Sequence, residues 1–148
     1  MLSLNRDAIL KVQKNKDPFL MIDYATKVVP GETAEGYKLL KKDEWFFKVH
    51  WENDPNMPGT LQIEALVQMC ALSILTIEGN EGNVVYLVNM NNIKFYKKIL
   101  PECRLDIFSK ILNFSRGIAT CSAEGFVDKN IVCKADFKLA LTKDIIKL

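Results

Sequence analysis

The longest helical candidate of the chain is Leu61 to Ile77, whose hydrophobic residues are broken only by single polar positions. Read at helical period, these cover nearly all faces, and a helix that is hydrophobic all round is a buried one. Pro58-Gly59-Thr60 opens it and Gly79-Asn80-Glu81-Gly82 ends it. Its length approaches that of a membrane span, but Gln62, Glu64 and Gln68 in its first turns favour burial inside a water-soluble domain. Four apolar, β-rich segments follow at Val84–Phe95, Arg104–Phe114, Ile118–Val127 and Ile131–Leu141. Ser115-Arg116-Gly117 and Asp128-Lys129-Asn130 between them read as hairpin turns.

Before the long helix, Asn5 to Lys14 fits a short helix. Phe19 to Val29 reads as a strand, Pro30-Gly31 as a turn and Thr33 to Leu40 as the returning strand. Glu44 to Gly59 reads as a loop, because of Pro55 and Pro58, although Trp45, Phe46, Phe47 and Trp51 make it too apolar for an idle surface segment. Strands grouped around one buried helix, with no βαβ alternation, predict an α+β fold: one antiparallel sheet wrapped round the helix. The expectation is a single domain over residues 1–148.

Composition narrows the function classes. A net charge of +2 is too small to point to nucleic acid. The four cysteines, at positions 70, 103, 121 and 133, lie far apart without a CxxC or Cys/His cluster, which argues against a metal site or a disulfide framework. Met1 to Asp17 lacks an apolar signal core, so the expected location is cytoplasmic, without membrane insertion.

Two residues stand out chemically. Glu64 places a carboxyl in the helix that is apolar all round, where the charged form is costly unless it is paired or faces a wet cavity. Gln68 lies one turn on along the same face and can hydrogen-bond it. The competing reading puts Gln62, Glu64 and Gln68 on a single exposed stripe. His50, the only histidine, sits between Val49 and Trp51 just before the helix. Imidazole suits proton transfer near neutral pH, and a carboxyl in an apolar setting suits the opposite role, so the two make a candidate acid–base pair. Pro58-Gly59 can simply start the helix. A glycine N–H at a helix N-terminus can also polarise a carbonyl.

The segment from His50 to Ala65 resembles the signature of the β-hydroxyacyl-acyl-carrier-protein dehydratases of fatty-acid synthesis, roughly G-H-F-P-G-x-P-x-M-P-G-x-L-x-x-E-A. The His-to-Glu spacing of 14 residues agrees, as do Pro55, Met57, Pro58, Gly59, Leu61 and Ala65. Pro18-Phe19-Leu20 with Asp23, Lys94-Phe95 with Pro101, and Val132 to Ala135 also fall where that family has similar runs. The resemblance implies a hot-dog fold, with the long helix as the sausage. It implies loss of water from a 3-hydroxyacyl thioester to give a trans-2-enoyl thioester, with His50 as base, Glu64 as acid, and Gly59 and Gln68 contacting substrate. No metal or organic cofactor is implied. The implied partners are acyl carrier protein, docking near Lys94, Lys97 and Lys98, and further copies of the chain in a homodimer or trimer of dimers that shares each site between subunits.

The chain departs from the pattern beside the histidine. Val49 replaces a glycine, Trp51-Glu52-Asn53-Asp54 replaces F-P-G-x, and Pro101-Glu102-Cys103 replaces a Pro-Gly-Asp turn. These changes alter the loop path, and small displacements of a catalytic group are expensive. The rival expectations are a hot-dog acyl thioesterase and an acyl-binding partner subunit without turnover. Trp45, Phe46, Phe47 and Trp51 are expected to wall an apolar acyl channel.

Overall fold

The computed structural model describes residues 1–142. Ten elements follow the chain: β1 (Leu2–Leu4), α1 (Arg6–Val12), β2 (Tyr24–Val29), β3 (Thr33–Leu39), α2 (Trp45–Val49), α3 (Gly59–Leu75), β4 (Val84–Phe95), β5 (Arg104–Ser115), β6 (Ile118–Val127) and β7 (Asn130–Thr142). The strands form one antiparallel sheet in the order β1-β2-β3-β5-β6-β7-β4. The sheet packs round α3, which lies against β3, β5, β6 and β7. This is the α+β, helix-in-sheet hot-dog arrangement expected from the sequence.

The packing explains why α3 needs no polar face. Leu66, Met69, Leu72 and Ile74 are fully buried, together with Phe137 and Leu139 of β7 and Ile107 of β5. Burying each such side chain stabilises the fold by about 1.5–3 kcal/mol. Gln62 and Gln68 are also buried, at 4% exposure each, which overturns the single exposed stripe. Their amides act inside the core: Gln62 Nε2 donates to the Met57 carbonyl at 2.9 Å, and Gln68 bonds the backbone of Phe19 and Met21.

Two other expectations need correction. Residues 19–22 are not a strand. Leu20, Met21 and Ile22 are buried, but their backbone needs are met elsewhere: Phe19 and Leu20 N–H donate to the Lys16 carbonyl, and Met21 N–H donates to Gln68 Oε1. The segment after Glu44 is not a loop throughout, since Trp45–Val49 forms α2. A five-residue helix is too short to hold itself; the burial of Phe46 and Phe47 holds it.

β4 is an edge strand, paired only through β7. Its residues from Tyr86 onward are exposed, among them Tyr86, Leu87, Val88, Met90 and Ile93. A long apolar edge of this kind is one that proteins normally cover.

Candidate active site

His50 is placed by the end of α2. It is the C-cap residue, its N–H donating to the Phe46 carbonyl at 3.0 Å, so the buried Phe46 anchors the histidine backbone. The imidazole Nδ1 stands 3.1 Å from the Asn56 carbonyl oxygen. A carbonyl can only accept, so Nδ1 carries the proton and the Nε2 lone pair is left free, the tautomer a base requires. The Trp51 indole stacks on the ring, centroids 4.4 Å apart and planes 15° apart.

The loop after His50, which lacks the glycines of the family signature, is held by backbone and side-chain ties. Asp54 N–H donates to the Trp51 carbonyl, Asn56 Nδ2 to the Asp54 carbonyl, and Lys98 Nζ pairs with Asp54 Oδ2 at 2.6 Å. Met57 N–H donates to the Ile99 carbonyl at 2.9 Å, closing the loop onto the β4–β5 connection. Lys98 is therefore engaged within the chain. Lys94 lies opposite Lys134 on β7, away from the cavity walls, so of the expected docking lysines only Lys97 and Lys98 border the site.

Glu64 lies in the second turn of α3. Gln68 Nε2 donates to its Oε1 at 2.9 Å and also to the Phe19 carbonyl at 2.9 Å, while Gln68 Oε1 accepts from Met21 N–H at 2.7 Å. All of the Gln68 amide is thus committed to the protein, and the residue orients Glu64. Desolvation by burial pushes the Glu64 carboxyl above the ordinary carboxylate range, and the Gln68 hydrogen bond partly opposes it. Gly59 is the first residue of α3. The first turn bonds back only from Leu61 and Gln62 N–H, to the Pro58 carbonyl; Gly59 N–H has no partner among the described residues.

His50 and Glu64 line one cavity of about 530 Å³ together with Gly59, Ile63, Leu87 and Met90. A second cavity, of about 380 Å³, borders His50 on the outer side, with Trp51, Gln62, Tyr96, Lys97 and Lys98 in its wall. A third, of about 200 Å³, continues past Glu64 along Val67, Ala71 and Leu75. The expected aromatic channel is only partly found. Phe46 and Phe47 belong to the core, and Trp45 is exposed and donates to the Pro18 carbonyl. The apolar walls of the cavity that holds His50 and Glu64 come instead from Leu87, Met90, Ile93 and Phe95 of β4. Sequence reasoning missed them, since β4 reads as an ordinary strand; the signal was its apolar residues on both faces.

The chain is similar to known proteins over nearly its whole length. The chain is 30% identical over 140 residues to a 3-hydroxyacyl-acyl-carrier-protein dehydratase FabZ of Clostridioides difficile, covering 95% of this chain and 99% of the relative. It is 34% identical over 140 residues to FabZ of Syntrophomonas wolfei, covering 95% and 97%, and 32% identical over 138 residues to FabZ of Bacillus subtilis, covering 93% and 98%. Among solved structures, the dehydratase heterocomplex ApeI:P of Xenorhabdus doucetiae superposes with a TM-score of 0.77 at 10% identity, covering 92% of this chain and 91% of that one. A hypothetical thioesterase of Streptococcus pneumoniae, solved with coenzyme A, gives 0.59 at 14% identity over 78% and 82%. At such identities the structural likeness speaks for the fold alone. The sequence also matches the FabA-like domain over residues 14–136, a span that takes in the His50 loop, all of α3 and the β4 wall, and the chain belongs to the FabA-like family.

Proposed function

We propose that the chain is a 3-hydroxyacyl-acyl-carrier-protein dehydratase of fatty-acid synthesis, acting through His50 and Glu64 as a single cytoplasmic domain. The observation that carries the assignment to these residues is that a free imidazole nitrogen and a carboxyl of raised pKa face the same largely apolar cavity. His50 Nε2 removes a proton from C2 of the thioester. The electrons gather toward the carbonyl oxygen, which Gly59 N–H is free to receive. Glu64, whose protonated form is favoured by desolvation, gives its proton to the C3 hydroxyl. The C3–O bond breaks, the C2=C3 double bond forms and water leaves. His50 ends protonated and Glu64 ionised, and proton exchange with solvent resets both.

The outer cavity suits the arm that carries the substrate. Lys97 borders it and complements an acidic carrier protein. The exposed apolar edge of β4 supports a homodimer in which a second copy covers that edge. The test is mass spectrometry of the protein incubated with 3-hydroxyacyl and 2-enoyl thioesters. Interconversion by water is the expected result. Release of free acid would make it a thioesterase, and silence on every substrate a binding subunit.

A further inference from the structure

Gly59 does not occupy a backbone conformation reserved for glycine; its φ lies outside the left-handed region. What the glycine leaves open is the space that the Phe95 ring tip occupies. A Cβ at Gly59 would stand 2.9 Å from Phe95 Cζ and 3.0 Å from Phe95 Cε1, closer than side chains pack. The tip of the Phe95 ring is therefore pressed over the Gly59 backbone. Phe95 ends β4 and is half exposed. His50, Gly59 and Phe95 are also the residues that the outer and inner cavities share, so the ring stands at their junction.

We infer that Phe95 is a specificity-determining residue that restricts the site to acyl thioesters unsubstituted at C2. This rests on the dehydratase reading above. With the thioester carbonyl on Gly59 N–H, C2 is bonded to the carbonyl carbon and lies beside whatever covers Gly59. One C2 hydrogen must face His50 to be removed. The other is directed away from His50, toward the Phe95 ring tip. A hydrogen fits in that gap; a methyl branch does not unless the ring swings away, because a carbon placed on Gly59 there would already stand 2.9 Å from the ring tip.

The experiment compares kcat/KM for a 3-hydroxyacyl thioester and for both C2 epimers of its 2-methyl counterpart. Wild type should prefer the unbranched substrate by at least about tenfold, the scale on which one misplaced methyl group is rejected. Phe95→Ala should shrink that preference at least about tenfold, through a rise in the 2-methyl rate itself. Phe95→Leu, which shortens the reach over Gly59 without opening a large hole, should shift it the same way and stands in if the alanine variant does not fold. Equal wild-type rates on branched and unbranched substrates would overturn the inference and leave the dehydratase reading intact. So would variants that slow both substrates by one factor. Wild type inert on all of them would remove the dehydratase reading, and this inference with it.

Discussion

Replacing Gln68 by methionine tests whether this amide sets the acid. The swap conserves volume, so packing cost stays small, and the loss is confined to the hydrogen bonds Gln68 makes to Phe19, Met21 and Glu64. Phe19 is exposed, so water can reach its carbonyl, whereas Met21 is fully buried and its N–H is left without an acceptor. An unsatisfied buried donor costs about 1–3 kcal/mol. At about 2–4 °C per kcal/mol for a domain of this size, the melting temperature should fall by about 2–12 °C. The kinetic consequence is separate. The Gln68 hydrogen bond lowers the Glu64 pKa against desolvation, so its removal raises that pKa further. In the proposed mechanism Glu64 is the acid and works protonated, so activity should be lost as pH rises through its pKa. A higher pKa moves that loss to higher pH. The assay is kcat/KM against pH, which reports the free enzyme, with a thermal melt of the same preparations. A melting temperature that falls while the alkaline limb stays put, or moves down, would refute the link and leave Gln68 a structural residue.

Three further outcomes are expected. His50→Ala and Glu64→Gln should each lower turnover by about two to four orders of magnitude with the fold intact by circular dichroism, and a Glu64→Gln variant near the wild-type rate would remove Glu64 from the reaction. Acyl chains should be favoured as they lengthen into the Ile63–Leu87–Met90 cavity; at about 0.8 kcal/mol per buried methylene, kcat/KM should rise about fourfold per added carbon until the cavity is full, and equal rates on four- and eight-carbon thioesters would count against this. Inactive His50→Ala and Glu64→Ala proteins, once mixed and shown by native mass spectrometry to exchange subunits, should recover roughly a quarter of their sites if the two-fold dimer shares each site; no recovery would place the working pair within one chain.

The pattern of apolar residues was enough for everything that depends on neighbours in the chain. A helix apolar on all faces must be buried wherever it goes, so α3 and its central place were legible before any contact was known. The β5-β6-β7 hairpins were legible for a similar reason, since short turns leave antiparallel pairing as the simple outcome. His50, Gly59 and Glu64 stood out by residue type, and the family signature they fall in supplied their implied roles. The tertiary structure decided what long-range pairing alone can decide. β4 pairs with β7, skipping its sequence neighbours, and so becomes both the open edge and the cavity wall. Burial of Phe46 and Phe47 overrode the loop-like composition around α2. Residues 19–22 lost their strand because Gln68, 47 residues beyond Met21, supplies the hydrogen bond a neighbouring strand would have made. Phe95 meets Gly59 only when β4 is laid beside the start of α3. Local periodicity records which surfaces must be buried; which surface buries which is settled by the sum of many weak, distant contacts that no short stretch of sequence contains.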